Sequence, residues 1–145
     1  MKKLILIATL LSSVLFFSCA KDKKTSISFE QLPVAAQTFL NTHFADLTLQ
    51  SIIKEEEGKD VEYDVKYTDF TEVNFDRNGD WEKVERRGVA VPDGIIPEAV
   101  LAYVKANYAQ SFIVEIDKDR NGYEVKLNGG LDLEFDRNGN FKRLD

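Results

Sequence analysis

The sequence predicts an α+β fold: a tandem repeat of one helix plus four antiparallel strands, merged into one sheet of roughly eight strands with both helices on one face. Three observations lead there. The motif FDRNGDW at Phe75–Trp81 returns as FDRNGNF at Phe135–Phe141, an offset of 60 residues. Two stretches carry apolar residues at spacings of three and four, the period of a helix. The stretches that follow them alternate apolar and polar residues, the period of a strand with one wet face.

The first unit covers about residues 27–88. Its helix opens at Leu32-Pro33, because proline suits the first helical turn, where a missing N–H costs nothing. Leu32, Ala36, Phe39, Leu40 and Phe44 form its apolar stripe. Strands are predicted near Thr48–Glu55, Val61–Tyr67, Thr71–Phe75 and Trp81–Arg86. The second unit covers about residues 89–145. Its helix opens at Ile96-Pro97, with Val100, Tyr103, Val104 and Tyr108 continuing the stripe. Strands are predicted near Ser111–Asp117, Tyr123–Leu127, Leu131–Phe135 and Phe141–Leu144. Asn78-Gly79, Asn121-Gly122 and Asn138-Gly139 mark turns, since both residue types tolerate positive φ. A unit of about 60 residues is close to the lower limit for an independent core, so the two are expected to share one.

Composition narrows function before any motif is considered. The chain carries 19 Lys+Arg against 25 Asp+Glu, a net charge of −6. That balance argues against nucleic acid, whose phosphates need clustered cations. One Cys and one His exclude an intrachain disulfide, a multi-thiolate metal site and any site with two imidazoles. There is no G-x-S-x-G, no H-E-x-x-H and no phosphate-cradling loop. No enzymatic activity and no cofactor are expected.

The amino terminus reads as an address, with residues 1–18 as a signal peptide. Lys2 and Lys3 precede an uncharged run of 14 residues from Leu4 to Phe17. That is short of the roughly 20 apolar residues a bilayer crossing needs. Leu15-Phe16-Phe17-Ser18-Cys19-Ala20 resembles a bacterial lipoprotein signal, in which the chain is cleaved before the cysteine that follows the apolar run and that cysteine is acylated. Cys19 is the predicted lipidation site and residues 19–26 a polar tether. Without Lys2 and Lys3 the balance is 17 cations to 25 acids, a net charge of −8. Ala20 lacks the aspartate tied to inner-membrane retention in that class. The resemblance therefore implies a lipid-anchored envelope protein, on the outer membrane or the periplasmic face.

The doubled helix-and-strands unit, its Leu-Pro and Ile-Pro helix starts and its FDRNGxW/F hairpins resemble the PepSY-like family of secreted bacterial proteins. That family is related in fold to β-lactamase-inhibitor proteins. The resemblance covers about residues 27–145 and implies protein binding or inhibition. Members of the inhibitor group carry a disulfide in each repeat, whereas this chain has no cysteine in the domain.

Candidate site residues follow from strand parity. Trp81 and Phe141 lie three residues before Val84 and Leu144, so in strict strands the pairs face opposite ways. If Val84 and Leu144 meet the helices, Trp81 and Phe141 stand on the open face, joined by Ile52 and Ile113. A bulge would instead turn both aromatics inward. Glu62, Asp64, Lys66, Glu124, Lys126, Asp132 and Glu134 form the polar surround of that face. Asp117, Asp119 and Asn121 in DKDRNG match the opening of a calcium loop, but the expected Glu at its twelfth position is Asn128. A polar hairpin turn accounts for them equally. His43 and the run Glu55-Glu56-Glu57 are expected to be structural or solvated.

The reading is thus a membrane-tethered, non-enzymatic module that binds an envelope protein or peptide. The alternatives are a calcium- or small-ligand-responsive envelope protein and a structural envelope component.

Overall fold

Alternation of apolar and polar residues produces one antiparallel sheet in a computed structural model that describes residues 22–145. The elements run β1 (Lys23–Ser26), a short 3-10 turn (Phe29–Gln31), α1 (Val34–His43), β2 (Leu49–Glu57), β3 (Asp60–Tyr67), β4 (Glu72–Phe75) and β5 (Trp81–Glu85). They continue as α2 (Glu98–Asn107), β6 (Ile113–Lys118), β7 (Gly122–Leu127), β8 (Asp132–Asp136) and β9 (Phe141–Leu144). The strands lie in sequence order, β1 to β9, each antiparallel to its neighbour. The class is α+β as predicted, with nine strands rather than eight among the described residues.

The additional strand is a correction to the predicted tether. Lys23–Ser26 pairs with Ile53–Glu56 at the edge of β2. Its sequence, KKTS, has no apolar alternation to betray a strand. It is held by ladder bonds and by an ion pair between Lys24 and Glu55. The signal peptide and Cys19 lie outside the described residues.

One row of side chains crosses the sheet beneath the helices. Ile52, Val65, Val73, Val84, Ile116, Val125 and Leu133 sit opposite one another from strand to strand. All seven are buried. Val84 opposite Ile116 carries this row across the β5–β6 junction, so one core spans the molecule. From α1, Ala36 and Leu40 enter this core, and from α2, Val100 and Val104.

Hairpin turns lock the helices in place. Gly79 and Gly139 adopt φ of +85° and +80°, a region that only glycine enters cheaply. Each lies against the start of a helix. A Cβ at Gly79 would fall 2.7 Å from Pro33 Cβ, and one at Gly139 2.8 Å from Ala99 Cβ. In the same turns Asp76 accepts hydrogen bonds from the N–H groups of Asn78 and Asp80, and Asp136 from those of Asn138 and Asn140. The repeated DRNG motif is therefore a device for turning the chain and seating a helix.

Candidate functional site

The face opposite the helices is built from the polar half of each strand's alternation. Two rows cross it. The first reads Asp64, Asn74, Lys83, Asp117, Glu124, Glu134, Arg143 from β3 to β9. The second reads Lys66, Glu72, Glu85, Glu115, Lys126, Asp132 from β3 to β8. The two rows hold eight carboxylates and four cations. Glu62 stands beside Glu55 at the margin. The predicted polar surround is thus brought together on one face: Glu62, Asp64, Lys66, Glu124, Lys126, Asp132 and Glu134.

Trp81 and Phe141 are not on it. The register slips between Asn74 and Phe75 in the β4–β5 pair, and between Glu134 and Phe135 in the β8–β9 pair. Each bulge adds one residue to the second strand and reverses the facing of what precedes it. Trp81 therefore stacks on Phe39 of α1, centroids 6.3 Å apart. Phe141 stacks on Tyr103 of α2 at 4.6 Å. Both pack against the core. Ile52 and Ile113, expected beside them, are buried in the core as well. Among the described residues the open face has no aromatic anchor, which corrects the parity expectation.

The charges interlock. Lys83 bonds Glu115 and approaches Asp117 at 3.9 Å and Glu85 at 4.0 Å. Lys126 bridges Glu115 at 3.5 Å and Asp132 at 3.7 Å. Lys66 pairs with Glu72 at 3.1 Å, and Asn74 donates to Asp64. Burial pushes the Asp64 carboxyl up to about 6, and the hydrogen bond and negative charge of Glu55 add to it. Burial also raises Asp117 to about 6; Lys83 opposes, while Glu115 and Glu124 reinforce. Glu115 goes the other way. Burial favours its neutral form, but the hydrogen bond and charge of Lys83 outweigh that and hold it below the usual range.

A concavity of about 700 Å³ opens on this face, lined in part by Glu62, Asn74, Lys83, Asp117, Glu124 and Glu134. At its β7–β9 side, carboxylate oxygens of Glu124, Glu134 and Asp145 lie within 4.8 Å of one another. The three calcium-loop candidates do not form that group. Asp117 sits on the open face opposite Lys83. Asp119 accepts hydrogen bonds from the N–H groups of Asn121 and Gly122, as a turn residue does. Asp145 was invisible to motif reading, because its approach depends on β9 lying beside β8. His43 packs beside Phe39, and burial lowers its pKa.

Among the described residues no helix is long and apolar enough to cross a membrane. Three solved structures resemble the chain. One is a periplasmic protein of the DUF2874 family from Bacteroides vulgatus ATCC 8482, with 36% identity and a TM-score of 0.81 over 84% of this chain and 96% of that one. Another, described as a "putative calcium-regulated periplasmic protein" of Bacteroides thetaiotaomicron, has 34% identity and a TM-score of 0.82 over the same shares. A third, a periplasmic protein of unknown function from Bacteroides vulgatus ATCC 8482, has 35% identity and a TM-score of 0.80 over 86% and 99%. No curated protein matches. The family described as "Putative beta-lactamase-inhibitor-like, PepSY-like" matches residues 61–143, and the chain belongs to that PepSY-like family.

Proposed function

We propose that the chain is a cell-envelope lipoprotein, acylated at Cys19, whose open sheet face binds a basic segment of another polypeptide without catalysing a reaction. The carrying observation is the two charged rows, eight carboxylates against four cations, with a concavity on the same face that Lys83, Asp117, Glu124 and Glu134 of the first row help to line. Lysine or arginine side chains of a partner complement that excess, and such complementarity sets specificity and association rate. The inhibitor-like family description supports a binding role. Similarity to periplasmic proteins supports an envelope location.

The test is binding of a lysine- and arginine-rich peptide, followed by fluorescence anisotropy at low salt. Replacing Glu124 and Glu134 by lysine weakens binding at least about tenfold, since charge complementarity drives it. Replacing the exposed helix residue Glu98 by lysine leaves it unchanged. Equal loss in both variants refutes the open face as the site.

The carboxylate group at Glu124, Glu134 and Asp145 favours a second reading, regulation by a divalent cation. Oxygen-only donors suit calcium. The Bacteroides thetaiotaomicron relative is described as calcium-regulated. Calcium at about 1 mM, an extracellular-site concentration, then raises the melting temperature. Glu134→Gln abolishes the rise. An unchanged melting temperature in the parent chain eliminates this reading.

A further inference from the structure

Asn-Gly occurs four times, as Asn78-Gly79, Asn121-Gly122, Asn128-Gly129 and Asn138-Gly139. The step is chemically weak, because glycine has no side chain to shield its nitrogen from the asparagine amide before it. For that nitrogen to attack, its N–H must be free of an acceptor and the backbone must rotate towards the side chain. In three of the four the fold denies both. Gly79 N–H donates to the Asp76 carbonyl at 3.0 Å, and Gly139 N–H to the Asp136 carbonyl at 3.0 Å. Gly122 N–H donates to Asp119 Oδ1 at 3.0 Å. All three glycines are buried. Gly79 and Gly139 are wedged against helix starts, and a Cβ on Gly122 would collide with the backbone of Phe135 and Asp136.

Asn128-Gly129 is built differently. It forms the exposed β7–β8 turn, closed by Gly130 N–H on the Leu127 carbonyl at 2.8 Å. Among the described residues Gly129 N–H has no acceptor, and nothing lies within 4 Å of where its Cβ would stand. The asparagine is held at its side-chain oxygen instead. Asn128 Oδ1 accepts from the N–H of Phe112 at 3.0 Å. That donor polarises the amide carbonyl and stabilises the negative charge that develops on its oxygen during attack. Here the nucleophile is free and the electrophile is activated. The equivalent turn of the first unit reads Thr68-Asp69, so the arrangement belongs to the second unit alone.

We propose that Asn128-Gly129 is a site of spontaneous covalent modification, where the fold directs conversion of the Asn128 amide to aspartate and isoaspartate. The Gly129 nitrogen gives its proton to solvent and bonds to Asn128 Cγ. The Cγ–Nδ2 bond breaks, the side-chain nitrogen leaves as ammonia, and a cyclic imide remains. Water then adds to either imide carbonyl and opens the ring, giving aspartate or isoaspartate. Water is the one co-reactant, and nothing is oxidised or reduced. Either product adds a negative charge to the turn. In isoaspartate the chain runs through the former side-chain carbonyl, the group that accepts from Phe112. The tie between this turn and the start of β6 is then remade around a longer backbone.

The test incubates the full chain in mildly alkaline buffer and follows all four Asn-Gly steps by peptide mapping and mass spectrometry. Breaking a protecting hydrogen bond costs up to about tenfold, and the packed glycines add to that, so Asn128 should convert at least about tenfold faster than Asn78, Asn121 or Asn138. In concentrated urea the turns are lost, and the four should convert at similar rates. That arm separates a preference set by the fold from one set by the neighbouring sequence. Gly129→Ala places a methyl group beside the nitrogen. The backbone φ at Gly129 is not in the left-handed region and the new Cβ meets open space, so the fold tolerates the change, and a melting curve checks it. Conversion at Asn128 should then fall at least about tenfold in the folded protein. Conversion of Asn128 no faster than the other three, a preference that persists in urea, or a rate that Gly129→Ala leaves intact overturns the proposal.

Discussion

Phe141 lies flat on Tyr103, with ring centroids 4.6 Å apart and planes 9° from parallel. The ring of Phe135 meets both edge-on, at 5.4 Å from Tyr103 and 5.9 Å from Phe141. The β8–β9 bulge thus delivers an aromatic to the helix instead of to a partner. Offset stacks and edge contacts add to the free energy of burial. Phe141→Ala should destabilise the domain by about 3 kcal/mol, the low end for a large aromatic because the ring is only partly buried. Urea denaturation measures it. Peptide binding at the open face should be unchanged under native conditions, which separates a packing role from a recognition role.

Gly79→Ala tests whether the DRNG turn seats the helix. A new Cβ meets Pro33 Cβ at 2.7 Å and the backbone nitrogen of Ala36 at 2.9 Å. The backbone φ of +85° adds strain of about 1 kcal/mol for any residue with a Cβ. The expected loss is about 2–4 kcal/mol, the overpacking and strain costs together. The control is Gly58→Ala, with a φ of +59° but nothing within 4 Å of its Cβ. It should lose only the conformational cost, about 1 kcal/mol.

Phe70 is the one described residue other than glycine with positive φ, at +67°. It is 62% exposed and its ring carries the Arg87 guanidinium at 5.3 Å. Sixty residues on, the same turn position is Gly130, with φ of +83°. Phe70→Gly should therefore stabilise the domain by about 0.5–1 kcal/mol, strain relief exceeding the loss of an exposed contact. A rise in the urea midpoint at constant slope is the expected reading. A fall would mean that the Phe70–Arg87 contact outweighs the strain.

Much of this architecture is legible from periodicity. Val65, Val73, Val125 and Leu133 alternate with charged or amide neighbours, and alternation fixes a face whenever pairing is regular. Hence Glu62, Asp64, Glu124 and Glu134 share the wet face as expected. Trp81 and Phe141 escape because a single inserted residue reverses parity, and the bulge is a property of the pairing, not of either strand alone. The odd spacing from each aromatic to an apolar residue expected on the opposite face was the available signal. Lys23–Ser26 escapes because an edge strand needs only backbone bonds and one ion pair. Asp145 joins Glu124 and Glu134 only through folding, so no spacing rule finds it.

Asp64 links the open face to pH. Its folded pKa of about 6 stands above the ordinary value of 3.8, chiefly through burial. A carboxyl raised on folding binds its proton more tightly in the native state, so its contribution to stability falls as pH rises from about 4 to about 6. Below that window the group is protonated in both states and costs nothing. Above it the native state carries a half-buried charge. Full linkage would give several kcal/mol, but a group this exposed is screened, and about 1 kcal/mol is expected. Other carboxylates oppose the trend: Glu115, held down by Lys83, and Asp136, held down by Asn140, stabilise the fold above their own pKa. The measurement is therefore a difference. Asp64→Asn keeps an acceptor for the Asn74 amide and removes the ionisation. It should be about 1 kcal/mol more stable than the parent at pH 7.5 and equal to it near pH 4, where Asp64 is protonated in the parent too. A stability gap that is independent of pH across this range would show that Asp64 does not titrate with a raised pKa.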